Sequence, residues 1–202
     1  MNNLIIVGSG GHARACIDVI EMQNNYSIIG IIEKTETNKR NRLNYPIIGG
    51  DVDLPNLINS CSNLFLGFGF IKSSKNRSEY FVKAKRLNYN FSVIISPLSY
   101  ISKTSSVNEG SIIMHHALIN SYVTIGKNCI INSKALIEHD VVIGNDTHIS
   151  TGSVINGSSK IGKECFIGSN SVVAEGIQIG DGSIVSAGAF VKEDIPPGTN
   201  YK

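Results

Sequence analysis

A six-residue period dominates the second half of the chain. From Ile101 to Pro196 each of sixteen consecutive hexads begins with Ile or Val, and no residue is inserted between them. The fifth place of each hexad is small, with Ile177 and Ile195 as the only larger residues. An α-helix cannot keep a six-residue apolar period on one face, and an ordinary strand would alternate every two residues. The period therefore predicts a parallel β-helix, with a β-rich domain of another kind as the alternative.

This run resembles the left-handed β-helix of the hexapeptide-repeat acyltransferases, which place three hexads in each coil. Under that resemblance the aliphatic first residue points into a triangular prism, and the small fifth residue lets the chain turn the corner. Neighbouring coils then lie about 4.8 Å apart and pair through their backbones. The pattern is more specific for fold than for function, because similar prisms occur in γ-class carbonic anhydrases and other proteins.

Composition excludes several classes of protein. The chain has 202 residues with 18 basic and 16 acidic side chains, and its net charge of +2 is too small to indicate binding to nucleic acid or to an anionic membrane. No stretch reaches 18 apolar residues, and the start, MNNLIIVGSGG, lacks the basic region and cleavage site of a signal peptide. We therefore expect a cytoplasmic protein with no nucleic-acid partner and no membrane insertion.

The cysteines are expected to be core thiols. None of the four forms a CxxC pair, and Cys129 and Cys165 both occupy the inward fifth place of a hexad. With eighteen residues per coil they would stand two coils apart, about 9.6 Å, which exceeds the reach of a disulfide. A buried cysteine of this kind packs as a small hydrophobic residue and is a poor nucleophile.

The first half of the chain has the pattern of a small three-layer α/β domain. The sequence predicts alternating strands and helices at Leu4 to Val7, Ala13 to Met22, Tyr26 to Ile32, Leu64 to Gly69, Lys75 to Arg86 and Phe91 to Ile95. Ser96 to Ser99 form the predicted joint, which gives two domains, residues 1–97 and 98–202. The predicted fold class is α/β plus all-β, a small Rossmann-like N-terminal domain followed by a left-handed parallel β-helix.

A glycine-rich turn follows the first predicted strand, in the sequence GSGGHA from Gly8 to Ala13. Its glycines allow close approach of the backbone, and the helix N-terminus behind it can hold a phosphate. Glu33 stands 20 positions after Ala13, so the segment superficially fits a dinucleotide fingerprint. The domain is short for a complete NAD fold, which favours a substrate over NAD as the ligand of this turn.

A GxGGH turn domain followed directly by hexads resembles the sugar acetyltransferases of the bacillosamine and sialic-acid biosynthesis type over essentially the whole chain. In that family the N-terminal domain binds the sugar, often as a nucleotide sugar, and the prism binds acetyl-CoA. The resemblance implies substrate contacts from the turn, from the end of the second strand and from the end of the third: Gly10, Gly11 and His12, Glu33 and Lys34, and Gly69. Turn geometry alone is the alternative for the two turn glycines, and a solvated strand end is the alternative for Glu33.

His139 is the candidate general base. Acetyl transfer from a thioester needs a group that takes the proton of the nucleophile, and histidine suits that role near neutral pH. His139 occupies the third place of its hexad, which is not an inward position, and its I-E-H-acid context matches the catalytic histidine of the family. The resemblance assigns the partner carboxylate to Asp140, one carbon shorter than the glutamate often found there. A surface histidine without a role is the alternative.

The resemblance also implies residues for acetyl-CoA. His148 matches a histidine that contacts the cofactor, while Ser169 and Ala187, the latter in place of a frequent glycine, would line the pantetheine groove through backbone atoms. His139 and His148 are nine residues apart, half a coil, so we expect them on different faces of one prism. If both serve one site, the second comes from a neighbouring subunit, which predicts a homotrimer. The remaining two histidines of this half are expected at the surface or in a trimer interface: His115 and His116.

A zinc site is the rival explanation for the histidines. A γ-class carbonic anhydrase brings three imidazoles to one zinc across two protomers, and this sequence lacks the pair spacing of that family. We therefore predict no metal. The predicted function is acetyl-CoA-dependent N-acetylation of the 4-amino group of a nucleotide-linked 4-amino-4,6-dideoxy sugar for surface glycans. O-acetylation of a sialic-acid-type sugar is the alternative, and a non-catalytic or metal-dependent β-helix is a more remote one.

Overall fold

The computed structural model of the protein describes residues 1–33 and 44–202. Its first half is a parallel sheet with strand order β3-β2-β1-β4-β5. The elements are β1 (Asn2–Val7), α1 (Gly11–Gln23), β2 (Tyr26–Ile32), β3 (Ile47–Gly49), α2 (Leu54–Leu57), β4 (Asn63–Leu66), α3 (Lys75–Arg86) and β5 (Asn90–Phe91).

The central strand β1 is buried on both faces, which produces three layers. Leu4 and Ile6 pack with the apolar side of α1, whereas Ile5 and Val7 pack with the side chains of α2 and α3. Successive side chains of a strand point to opposite faces, so a run of four aliphatic residues fits a sheet that is covered on both sides. This agrees with the predicted α/β domain.

The second half is a parallel β-helix of two-residue strands. They are β6 (Ile94–Ile95), β7 (Tyr100–Ile101), β8 (Ser106–Val107), β9 (Ile112–Ile113), β10 (Leu118–Ile119), β11 (Thr124–Ile125), β12 (Ile130–Ile131), β13 (Leu136–Ile137), β14 (Val142–Ile143), β15 (His148–Ile149), β16 (Val154–Ile155), β17 (Lys160–Ile161), β18 (Phe166–Ile167), β19 (Val172–Val173), β20 (Gln178–Ile179), β21 (Ile184–Val185), β22 (Phe190–Val191) and β23 (Asn200–Tyr201). The predicted fold class is confirmed.

Three parallel sheets form the faces of this prism. Face I contains β7, β10, β13, β16, β19 and β22; face II contains β8, β11, β14, β17 and β20; face III contains β6, β9, β12, β15, β18, β21 and β23. Each strand pairs in register with the strand one coil on, as Ile119 pairs with Ile137 and Ile137 with Ile155. The first-place residues fill the interior, and they are fully or almost fully buried from Ile113 to Val191.

The corners of the prism depend on the fourth place of the hexad. From Gly110 to Gly188 each fourth-place residue has a positive φ, between 55° and 76°. This left-handed conformation is open to glycine and is tolerated best by Asn and Asp among the other residues. The small fifth residue lines the interior beside this corner, as the sequence pattern predicted.

The fifth-place residues of one column form a ladder of buried hydrogen bonds. The Ser111 hydroxyl donates to the Gly126 carbonyl at 2.7 Å and accepts from the Cys129 amide at 2.9 Å. Cys129 continues the ladder, because its thiol donates to the Gly144 carbonyl at 3.1 Å. All four cysteines are buried and free, and burial raises the pKa of the Cys129 thiol to about 12. These thiols are protonated core groups, as expected.

The joint between the halves differs from the sequence prediction. The expected strand from Phe91 to Ile95 is split, since β5 ends the first sheet and β6 begins face III by pairing with β9. The split places Phe91 in the core beside α3, whereas Ile94 packs with α1. A single strand over this range is therefore wrong, and the domain boundary at residue 97 stays a prediction.

No helix in the described part of the chain has the length and apolarity needed to cross a bilayer.

Candidate functional site

The glycine turn between β1 and α1 is held by Glu33. The Ser9 amide donates to Glu33 Oε2 at 2.9 Å, and the Ser9 hydroxyl donates to the same oxygen. Glu33 thus fixes the turn, a role that the fingerprint spacing did not specify. Its predicted contact with a nucleotide base stays a prediction, and Lys34 lies outside the described residues.

The first turn of α1 is open at its two glycines. A Cβ at Gly10 would meet no heavy atom of the described chain within 4 Å, and a Cβ at Gly11 would meet only Arg14 Nη2 at 3.5 Å. Gly10 is the N-cap of α1, so this open space lies at the helix N-terminus. Such a terminus can receive an anion.

His12, the next residue of this turn, carries a neutral imidazole. Burial is the main cause that lowers its pKa to about 3, and the positive Arg77 guanidinium adds to the effect. Among the described residues, the buried His12 Nε2 has no hydrogen-bond partner. The ring lies beside Gly69, where an added Cβ would be 3.7 Å from His12 Cδ2. The structure therefore brings Gly10, Gly11, His12 and Gly69 to one edge of the first sheet.

A buried arginine that the sequence analysis missed shapes this edge. Arg77 Nη1 donates to the carbonyls of Leu66 and Phe68, at 2.9 Å and 2.6 Å, and Nε donates to the Asn128 carbonyl at 3.3 Å. They take up carbonyls at and after the end of β4, which stops at Leu66, three residues before the predicted end at Gly69. Arg77 also ties this edge to the β-helix, since Asn128 belongs to a corner between faces II and III.

His148 is buried beneath the first half of its own chain. Its side chain is 7% exposed and lies between the rings of Phe70 and Phe166, with centroids at 5.7 Å and 5.2 Å. Nδ1 donates to the Phe70 carbonyl at 2.9 Å, and Nε2 accepts from the Asn132 amide at 3.3 Å. Burial is the main cause that lowers the pKa of His148 to about 4. His148 thus points out of the prism but is covered by Phe70 and is not exposed to solvent, and its contact with acetyl-CoA stays a prediction.

His139 has the exposed position that the sequence predicted. It lies at the corner after β13, with its side chain 51% exposed, and Nδ1 is 2.9 Å from Asp140 Oδ2. This hydrogen bond is the main cause that raises the pKa of His139, and Glu138 and Glu175 add a smaller electrostatic contribution. Asp140 reaches the ring from the left-handed corner conformation, with a φ of +61°. A glutamate is thus not required for the pairing.

The two predicted parts of the β-helix site lie on opposite edges of face I. His139 and Asp140 lie at the corner between faces I and II, whereas Ser169 and Ala187 lie at the corner between faces III and I. Ser169 Oγ is 2.9 Å from Ser150 Oγ, and Ala187 is exposed. One chain therefore does not bring the candidate base and the candidate pantetheine residues together.

Face I carries an apolar column between these two corners. Each two-residue strand of face I has an outward residue followed by an inward one. The outward residues form the column: Tyr100, Leu118, Leu136, Val154, Val172 and Phe190. Tyr100 and Phe190 are each 59% exposed at the two ends of the column. The equivalent column of face II is mostly polar. Face I is thus the face with an uncovered apolar surface.

His115 bridges the two halves of the chain. Its Nδ1 lies 2.7 Å from Ser96 Oγ, and its Nε2 lies 2.8 Å from Asp18 Oδ2 of α1. Ser96 is buried, so this Ser-His-Asp chain has no accessible nucleophile. His115 is half-buried between the two halves and His116 is exposed, and the expected surface or trimer-interface position of both stays a prediction. Within residues 1–33 and 44–202, no three His, Cys, Asp or Glu side chains are grouped so that they could hold a metal ion.

Comparisons with known proteins define the class of this chain. Residues 3–83 match the family described as PglD N-terminal domain. Residues 122–157 match Bacterial transferase hexapeptide (six repeats), and residues 160–193 match Hexapeptide repeat of succinyl-transferase. No protein with curated function matches the sequence. The chain therefore combines a PglD N-terminal domain with two stretches of transferase-type hexapeptide repeats in its β-helix.

Solved structures resemble the chain over almost its whole length. PerB from Caulobacter crescentus, solved with CoA and GDP-perosamine, is 28% identical with a TM-score of 0.89 over 98% of this chain and 92% of that chain. The acetyltransferase domain of PglB from Neisseria gonorrhoeae, solved with acetyl coenzyme A, has the same fold at 24% identity and a TM-score of 0.88, over 98% and 95%. The predicted resemblance is thus confirmed: the chain combines a PglD N-terminal domain with hexapeptide repeats, and its structural neighbours are perosamine and PglB acetyltransferases with a left-handed β-helix.

Proposed function

We propose that this protein is an acetyl-CoA-dependent N-acetyltransferase that acts on an amino group of a nucleotide-linked amino sugar. The observation that carries the proposal is the exposed His139–Asp140 pair on a β-helix whose chain also has the PglD N-terminal domain. A perosamine N-acetyltransferase from Caulobacter crescentus, solved with CoA and GDP-perosamine, shares this architecture over 98% of the chain. The preferred acceptor is the 4-amino group of a 4-amino-4,6-dideoxy sugar.

His139 acts as the general base of the transfer. The sugar amine attacks the thioester carbonyl, a C–N bond forms, and His139 Nε2 takes the proton that the amine loses. When the tetrahedral intermediate collapses, the C–S bond breaks and the proton is available to the departing CoA sulfur. Asp140 accepts the Nδ1–H hydrogen bond, keeps the ring in the tautomer with a free Nε2 lone pair, and stabilises the imidazolium that forms.

The edge of the first sheet binds the nucleotide sugar. The open N-terminus of α1 receives the diphosphate at Gly10 and Gly11, and Gly69 allows close approach beside His12. Glu33, and with it Lys34, provides the predicted contacts to the nucleotide base. The substrate contact predicted for His12 is part of the same proposal, because its neutral ring lies beside Gly69 at this edge.

A homotrimer completes the site. His139 and the pair Ser169 and Ala187 lie on opposite edges of face I, so a neighbouring prism is needed to place them around one acetyl-CoA. The apolar column of face I supplies surface for that contact. Three-fold packing of triangular prisms produces three equivalent sites between subunits. The predicted cytoplasmic location belongs to the same proposal, because acetyl-CoA and nucleotide sugars are cytoplasmic metabolites.

The test is a thiol-release assay with acetyl-CoA and a panel of acceptors. The panel contains 4-amino sugars linked to UDP, dTDP or GDP, and free sialic acid as the acceptor of the alternative O-acetylation. His139→Ala should lower kcat by about 10²–10⁴-fold with little change in substrate affinity. The control is His116→Asn, which changes an exposed histidine at a left-handed corner that asparagine tolerates.

The outcomes separate the alternatives. Turnover with sialic acid and none with the amino sugars would favour O-acetylation, and a His139→Ala variant that keeps more than half its turnover would refute the assigned base. The predicted absence of a metal requirement is tested in the same assay. Activity should survive prolonged treatment with a chelator, whereas loss with chelator and recovery with zinc would favour the metal-dependent alternative.

A further inference from the structure

Between Ile101 and Pro196, every glycine of the β-helix except one belongs to one of two classes. Those at the fourth place of a hexad have the positive φ of the corner: Gly110, Gly152, Gly176, Gly182 and Gly188. Those at the second place lie against the next coil, and a Cβ there would be 2.3–2.7 Å from a backbone nitrogen: Gly126, Gly144, Gly162, Gly168 and Gly180. Gly157 belongs to neither class.

Gly157 is the single glycine at the third place of a hexad. The other fifteen third-place residues between Ile101 and Pro196 carry a side chain, so the backbone at this place does not require glycine. Gly157 is not among the residues with positive φ. Its lack of a side chain needs a local explanation.

The neighbour of Gly157 is the imidazole of His139, one coil away in the same column. A Cβ at Gly157 would lie 2.6 Å from His139 Cε1, 2.8 Å from Nε2 and 3.2 Å from Nδ1. The ring therefore occupies the space that any side chain at this position would take. On its other side the ring is held by Asp140, 2.9 Å from Nδ1.

We propose that Gly157 is a positioning residue for the candidate base: its missing side chain creates the space in which the His139 ring keeps its bond to Asp140. The expected effect of Gly157 on catalysis rests on the proposed function, whereas its effect on the position of the His139 ring is independent of that function. A methyl group at position 157 moves the ring by about 1 Å, because carbon atoms pack at about 3.5–4.0 Å. A general base acts within a narrow distance, and a misplacement of about 1 Å costs up to about 100-fold in rate.

The test compares Gly157→Ala with the unchanged protein in two measurements. In the acetyltransferase assay we expect kcat to fall by about 10–100-fold while KM for both substrates stays within about threefold. In an NMR titration of the unliganded protein, the displaced ring loses part of its bond to Asp140. The pKa of His139 should then move down toward its ordinary value.

Gly144→Ala is the matched control for a general effect on folding. A methyl group there meets the Lys163 amide nitrogen at 2.5 Å, and backbone cannot rotate away as an exposed ring can. We expect Gly144→Ala to lower the melting temperature clearly and Gly157→Ala to leave it nearly unchanged. If Gly157→Ala folds poorly, a double variant provides a second measurement. His139→Ala/Gly157→Ala should have the same melting temperature as His139→Ala, because the imidazole that crowds the new methyl group is absent from both.

Each result decides the inference. A Gly157→Ala variant with kcat within twofold of the unchanged protein, or with an unaltered His139 titration, would overturn it, as would a double variant that melts well below His139→Ala. If the unchanged protein transfers no acetyl group to any acceptor, the proposed function fails, and the titration and the melting temperatures still determine whether Gly157 positions the ring.

Discussion

Burial of His148 makes the stability of the fold depend on pH. The imidazole lies between two aromatic rings with both nitrogens in hydrogen bonds, and its pKa falls to about 4. In the unfolded chain a histidine has a pKa of about 6.5. Between these values the unfolded state binds a proton that the folded state excludes. The stabilising effect is therefore complete above about pH 6.5 and is lost as the pH falls below it.

The magnitude follows from the interval over which the native ring stays neutral. Between pH 6.5 and pH 5, protonation in the unfolded state lowers the free energy of unfolding by about 1.4 kcal/mol per pH unit. His148 alone therefore lowers the free energy of unfolding by about 2 kcal/mol at pH 5. For a chain of this length that corresponds to about 4–8 °C in melting temperature. The result depends little on the folded value, provided that it stays below 5. His12, with a pKa near 3, adds a similar loss.

The variant His148→Gln removes the titration and keeps one donor and one acceptor. We expect it to be less stable than the unchanged protein at pH 7.5, by about 1–3 kcal/mol from lost packing against Phe70 and Phe166. By pH 5 the difference should narrow by about 2 kcal/mol. Urea unfolding at both pH values measures it, with His116→Asn as the control. If the free energy of unfolding falls by the same amount from pH 7.5 to pH 5 in His148→Gln and in the unchanged protein, the reasoning is refuted.

Two further predictions concern the site. Asp140→Asn removes the negative charge of the group that accepts the His139 hydrogen bond and so removes the main cause of the raised pKa of His139. The acid limb of kcat/KM should therefore move to lower pH while the maximum falls, and an unmoved limb in a pH profile would contradict the pairing. The variants His139→Ala and Ala187→Arg should each be inactive alone, and co-refolding them at equal ratio should restore about a quarter of the activity. A shared site takes its base from one chain and its pantetheine groove from the next, and each of these two chains is the required variant in half of the cases. Mass spectrometry should show mixed trimers, and such trimers without recovered activity would exclude a site shared between subunits.

The β-helix was predictable from the repeat, because the place of a residue in its own hexad also determines which residues of the neighbouring coils it pairs with. A residue's place in the hexad decides whether it faces the interior, as Ile137 does, or the solvent, as His139 does. The left-handed corners could also have been predicted. Of the fourteen fourth-place residues from Gly110 to Gly188, nine are Gly, Asn or Asp, the residues that adopt this conformation most readily.

Contacts between the halves were not predictable from the period. His148 is covered by Phe70, 78 residues earlier in the chain, and no local pattern records that pairing. One signal was present: Ile112 and Ile130, the outward residues that precede His148 in its column, are themselves apolar, which indicates a covered face. The split at Ile94 and the buried Arg77 depend in the same way on how the two halves pack.

The in-register pairing of neighbouring coils determines how this chain can change in length. Since each residue pairs with the one eighteen positions on, as Leu118 does with Leu136, loss or gain of a whole coil leaves every column intact. An insertion or deletion of six residues instead rotates everything beyond it by a third of a turn. If the change lies before His139, the His139–Asp140 corner moves from the edge between faces I and II to one of the other two edges of the prism. Variation in length that preserves a site at this corner is therefore confined to multiples of eighteen residues or to excursions from a corner.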